Sequence, residues 1–173
     1  MRAGSWKTLR ERCARRVSEI EHGVGIPDPW SADEFIDRLE RLRGREIDLC
    51  AVSWVSGEST GAWRRYADHD VIAYAANTSS IHQDLIILHE VGHLVLDHQG
   101  QCVLSVEDAQ RLAPDLAPAA FAHLLDRVHG ATEEHEAEMI ATMILARIAA
   151  QRRRTRPVGA RADLADRIET TFG

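Results

Sequence analysis

The cluster His89-Glu90-Val91-Gly92-His93 lies inside the apolar run from Leu85 to Leu96, and no other feature restricts the chain as much. On an α-helix, residues four apart stack one turn above each other, so the two imidazoles can close on one metal ion while Glu90 is rotated by about 100°. That arrangement is the one a zinc hydrolase needs. Neutral imidazoles are good ligands for Zn²⁺, which lowers the pKa of a bound water toward ~7 so that a neighbouring carboxylate can take its proton. With nine His and fourteen Glu in 173 residues, chance alone gives this spacing in roughly 4% of such chains. The flanking Ile86, Ile87, Leu88, Leu94, Val95 and Leu96 mark a buried helix, and a buried helix rarely carries two His and a Glu without partners.

A chain of 173 residues is one domain of ordinary size, long enough to bury a core without staples. Hydrophobic content of 45% and charged content of 28% are those of a globular protein. The net charge of −6 argues against direct nucleic-acid binding, and Arg152-Arg153-Arg154 with Arg156 reads as a solvated helix end. Cys13, Cys50 and Cys102 are widely separated and are expected to be reduced, largely buried thiols. The basic segment Met1 to Arg16 has no apolar stretch behind it, and no run approaches the ~18 residues of a membrane span, so the cytoplasm is the expected compartment.

Hydrophobic spacing predicts an N-terminal helical part over residues 1–44. Trp6, Leu9, Cys13, Val17 and Ile20 make a first amphipathic helix behind Ser5, ending near Gly23. After Pro27 and Pro29, Ser31-Ala32-Asp33-Glu34 is a capping box opening a second helix that stops at Gly44. Ile47 to Val55 and Val71 to Ala75 read as strands, with 62–69 either a third strand or an irregular connection. The expected fold class is therefore α+β: an antiparallel sheet of about three strands packed on a motif helix running from Ser80 to His98. Residues 99–131 form a connection too long to be structureless, expected to contain helix and act as an insertion or lid. Thr132 then caps a helix whose buried stripe is Ala137, Ile140, Ala141, Ile144, Leu145 and Ile148, and 151–173 is a basic tail with one weakly amphipathic helical stretch around Leu164 and Ile168.

Two histidines need a third protein ligand to hold a catalytic zinc. The metzincin position for a third His is Gln99 here, so that pattern fails. His98, nine residues beyond His89, would lie roughly 180° around a continuous helix and out of reach. Glu133, Glu134, Glu136 and Glu138 crowd the start of the last helix. Measured from the centre of its apolar stripe, Glu133 and Glu134 point about 50° away, Glu138 about 90° and Glu136 about 110°. Glu136 is expected to be solvated, and geometry leaves Glu133 and Glu134 both open. Their bland reading is favourable charge in a first helical turn.

Ile87-Leu88-His89-Glu90-Val91-Gly92-His93-Leu94-Val95-Leu96-Asp97-His98 and Glu134-His135-Glu136-Ala137-Glu138-Met139-Ile140-Ala141 resemble the ImmA/IrrE-type metallopeptidases, a zincin family, over roughly residues 45–148. The resemblance implies a small zincin-like domain with His89, His93 and Glu134 as Zn²⁺ ligands. It also implies Glu90 as general base and Glu138 as an outer residue orienting a ligand histidine. It further implies a zinc metallo-endopeptidase whose protein substrate is a separate helix-turn-helix repressor, in a stress, mobile-element or toxin-antitoxin system. The rival is a zinc-stabilised interaction module that acts by binding alone. For oxyanion stabilisation His123, His129, Tyr66 and Tyr74 have suitable chemistry, though each is more simply a packing or surface residue.

Overall fold

The computed structural model describes residues 3–53, 61–98, 101–102, 127–128 and 130–155. Helices α1 (Ala3–Gly23) and α2 (Ala32–Arg43) precede strands β1 (Glu46–Val52), β2 (Gly61–Arg65) and β3 (His69–Ala75). Helix α3 (Ser80–Leu96) carries the histidine motif, the two-residue strands β4 (Gln101–Cys102) and β5 (Arg127–Val128) follow, and α4 (Ala131–Thr155) is the last element. The architecture is α+β, with α3 between the sheet and α4, α1 against α4, and α2 against β1.

The sheet is mixed rather than antiparallel. Its order is β1-β3-β2: β1 runs parallel to β3, pairing Glu46 with His69 through Val52 with Ala75, while β2 and β3 form the antiparallel pair. The expected sheet was antiparallel throughout, but β3 inserts between the other two strands and runs parallel to β1. Its composition explains why. Asp70-Val71-Ile72-Ala73-Tyr74-Ala75 is the most thoroughly buried strand segment, whereas β1 and β2 carry Glu46, Asp48, Arg64 and Arg65, charges that suit edges. The uncertain segment 62–69 resolves into most of β2 and the turn back to β3.

Local signals set both ends of α2. Ser31 accepts a hydrogen bond from the Glu34 amide at 3.3 Å, and Gly44 ends α2 in the left-handed conformation with φ 62°. The capping box is half made, because the Glu34 carboxylate turns to Arg38 at 2.7 Å. Helix α1 begins at Ala3, which puts Ser5 in its first turn instead of before it. Phe35, Leu39, Ile72, Leu88, Leu94, Ile140 and Ile144 are among the largest fully buried side chains, so one core joins both N-terminal helices, the sheet, α3 and α4. The stripe chosen for α4 is buried at Ala137, Ile140, Ala141, Ile144 and Ile148.

A buried charge fixes the sheet to the end of α3. Asp70 is fully buried and meets Arg43 at 2.7 Å and Arg45 at 3.2 Å, and Arg65 reaches both Asp70 at 3.7 Å and Asp97 at 2.7 Å. Taking a carboxylate out of water is costly unless such partners compensate it. Elsewhere Trp30 donates its indole N–H to Asp84 at 2.9 Å, tying the Pro-rich link before α2 to α3.

The helix expected inside 99–131 lies outside the described residues; the antiparallel pair β4–β5 joins two described points of that connection. Helix α4 extends to Thr155, so the tail beyond it, with Leu164 and Ile168, is also outside. Cys13 is buried, but Cys50 is exposed on β1, which corrects the expectation of buried thiols. No helix among the described residues is long and apolar enough to cross a membrane.

Candidate metal centre

Helix α3 is capped by Ser79, whose hydroxyl accepts from the His82 amide, and stops two residues short of the expected His98. Asp97 adopts the left-handed conformation with φ 56°. Its amide donates to Leu94 O at 3.3 Å and the His98 amide to His93 O at 3.0 Å, the paired bonds of a Schellman turn. That turn places His98 back over His93.

Beside α3, α4 comes backbone to backbone. A β-carbon on Gly92 would lie 2.7 Å from Ala137 Cα and 2.9 Å from Ala137 O, so only glycine permits this approach. Glu134 and Glu136 are set about 60° and 100° to either side of Ala137 on their helix. Each reaches past the contact point toward α3.

On one side, His89, His93 and Glu134 form a group that could hold a metal ion, with one donor atom from each within 4.8 Å of the others. The two Nε2 atoms are 3.0 Å apart, His89 Nε2 is 3.5 Å from Glu134 Oε2, and His93 Nε2 is 3.5 Å from Glu134 Oε1. Two donors each about 2.0–2.1 Å from one ion stand about 3.3 Å apart at a tetrahedral angle. The donor set and its spacing therefore fit a small ion with nitrogen and carboxylate ligands. Side-chain exposure falls from 47% at Glu134 through 27% at His89 to 1% at His93, so the group opens to solvent on the Glu134 side.

Glu90 is buried, between α3 and the start of β2. A β-carbon on Gly61 would stand 2.7 Å from Glu90 Oε1 and 2.5 Å from Ile86 Cγ2. The strand thus packs its bare backbone on the carboxylate. Within the sheet β2 hydrogen-bonds only to β3, which leaves its outer edge without a strand among the described residues.

On the other side of His93, Nδ1 lies 3.0 Å from His98 Nδ1, and His98 Nε2 lies 3.2 Å from Glu136 Oε2. Arg12 of α1 forms an ion pair with the same Glu136 carboxylate. Glu136 is 3% exposed and His98 6%, which overturns the expectation of a solvated Glu136. The angular estimate assumed that α4 buries one stripe, but α1 and α3 cover two of its faces. His98 does not join the ion-facing group, as expected, although the reason differs: the helix has already ended. Glu138, implied for the role of orienting a ligand histidine, is exposed, and the side chain against His93 Nδ1 is His98. Glu133 turns back to the Gly130 amide at 3.0 Å, which separates it from Glu134.

Tyr66 is exposed and stacks on His69, Tyr74 is half-buried on β3, and His123 and His129 lie outside the described residues. Sequence reasoning set His98 aside as out of reach, read Glu136 as solvated and Ala137 as core, and gave Arg12 and Gly61 no role. Only the first had even a weak local signal, since Asp is one of the few residues other than glycine that occasionally adopts the left-handed conformation. Comparison with protein-family models, with curated proteins and with solved structures finds no match.

Proposed function

We propose that the protein is a zinc-dependent metallo-endopeptidase with a zincin-like site, related to the ImmA/IrrE type. It would work in the cytoplasm by cleaving a separate helix-turn-helix repressor in a stress, mobile-element or toxin-antitoxin system. The observation that carries the reading is the convergence of His89, His93 and Glu134 next to a buried Glu90 that lies against the edge strand β2. His89 and His93 would hold Zn²⁺ through Nε2 and Glu134 through its carboxylate. Bound there, the ion supplies a Lewis acid that polarises a carbonyl and acidifies water.

The remaining chemistry belongs to the chain. Glu90 takes a proton from the attacking water and returns it to the leaving amine as the peptide bond breaks. The open edge of β2 receives the substrate as an added strand, which fixes the scissile carbonyl without demanding particular side chains. Gly61 keeps that strand close to Glu90. Partial burial of the group strengthens each electrostatic contact made there.

The test is incubation of the purified protein with a candidate helix-turn-helix repressor from its own genomic neighbourhood, with and without a chelator. Cleavage that needs zinc and is lost in Glu90→Gln supports the reading, and an uncut repressor in the presence of zinc counts against it.

A further inference from the structure

The chain His93–His98–Glu136–Arg12 has no part in the proton transfers assigned above, yet His93, His98 and Glu136 are all buried and the chain touches the site. We propose that His98 and Glu136 are positioning residues of the metal centre, a buried imidazole-carboxylate relay that orients His93 and fixes which of its nitrogens faces the ion. The inference rests on the reading that His89, His93 and Glu134 bind Zn²⁺.

The direction of the chain follows from donor and acceptor inventory. For Nε2 of His93 to offer a lone pair, its proton must sit on Nδ1, and Nδ1 has His98 Nδ1 at 3.0 Å. That nitrogen of His98 then accepts, which leaves its own proton on Nε2, 3.2 Å from Glu136 Oε2. Each imidazole donates away from the ion and toward a carboxylate. His93 is 1% exposed, His98 6% and Glu136 3%, so water does not substitute for a missing link, and a buried donor left unsatisfied carries its full desolvation cost.

Outer partners of this kind fix ring orientation and raise the basicity of the ligand nitrogen. Here two imidazoles stand in series between the ligand position and the carboxylate. The Schellman turn at Asp97 supplies the second one, and Arg65 holds that turn through Asp97 at 2.7 Å. The Arg12 ion pair closes the relay on α1, whose side chain there is half exposed at a cleft of about 790 Å³. Orientation of a metal ligand on α3 is thereby set by residues on α1 and α4.

The experiment measures Zn²⁺ affinity of the full chain by competition with a chromophoric chelator, and the visible spectrum of the Co²⁺ form, for parent, His98→Phe, His98→Asn and Glu136→Gln. Removing the acceptor in His98→Phe should weaken Zn²⁺ binding about 10–100-fold and alter the Co²⁺ bands. His98→Asn, which restores an acceptor near Nδ1, should recover most of the affinity, and Glu136→Gln should fall between. Urea unfolding separates this from loss of fold: if His98→Phe does not fold, the parent, Asn and Gln forms still rank the relay. Parent affinity and spectrum in a folded His98→Phe, or in Glu136→Gln, would overturn the proposal. So would equal weakening in the Phe and Asn forms in step with their stabilities, since that is what a space-filling role produces. If the parent itself takes up neither metal, the metal-centre reading fails first and the relay with it.

Discussion

Ala137 presses its backbone against Gly92, with its α-carbon 2.7 Å from where a β-carbon on Gly92 would stand. This contact sets the distance between α3 and α4, and hence whether Glu134 reaches His89 and His93. In an isolated helix Gly92→Ala would gain about 1 kcal/mol of propensity. Here the added methyl meets backbone, which cannot rotate away. We expect a net loss of about 1–3 kcal/mol, the usual scale of overpacking, together with weaker zinc binding. Urea midpoints and chelator competition check both.

Gly61→Ala tests the second close approach. The new methyl would meet Glu90 Oε1 and Ile86 Cγ2, displacing the Glu90 carboxylate or the edge strand while leaving His89, His93 and Glu134 untouched. Zinc affinity should stay near that of the parent while cleavage rate falls at least about tenfold, since misplacing a catalytic group by about 1 Å can cost more than that.

Asp70→Asn removes the charge that compensates Arg43 and Arg45. Breaking a buried pair from one side costs about 3–5 kcal/mol because the remaining charge stays buried. Arg43 and Arg45 keep some access to water at 21% and 22% exposure, so the lower end, about 3 kcal/mol, is expected. Denaturant unfolding of the variant would measure it.

Burial pushes the Asp84 carboxyl above the usual carboxylate range, with the Trp30 N–H and the Arg152 charge pulling the other way. Between its unfolded and folded pKa values the folded protein holds the extra proton, so this group's contribution to stability falls as pH rises through that window from about pH 4. Asp84→Asn keeps an acceptor for Trp30 without the charge. Its stability relative to the parent should therefore increase between about pH 4 and pH 7, and paired urea curves at the two pH values read the difference directly.

Much of the fold was legible because its signals are local. Ser31 and Gly44 cap α2 as their chemistry dictates, and the 3.6-residue stripe of α4 is buried where periodicity put it. The parallel pairing of β1 with β3 was not legible, since strand order depends on which strand the core buries most. At the site, helical spacing brought His89 next to His93, and the family likeness chose Glu134 where angle alone could not separate it from Glu133. Glu136 was misread because its burial comes from α1, more than a hundred residues away in the chain. His98 was misplaced by extending a helix that Asp97 ends with one left-handed residue.

The central claim is that zinc and Glu90 together cut a peptide bond, and the most direct measurement compares parent and Glu90→Gln on the candidate repressor. Both proteins should carry about one zinc per chain, while Glu90→Gln cleaves slower by about 10²-fold or more. Loss of repressor control in cells should follow loss of cleavage. If Glu90→Gln relieves repression as fully as the parent while His89→Ala does not, zinc holds a binding surface together and the peptidase account is wrong.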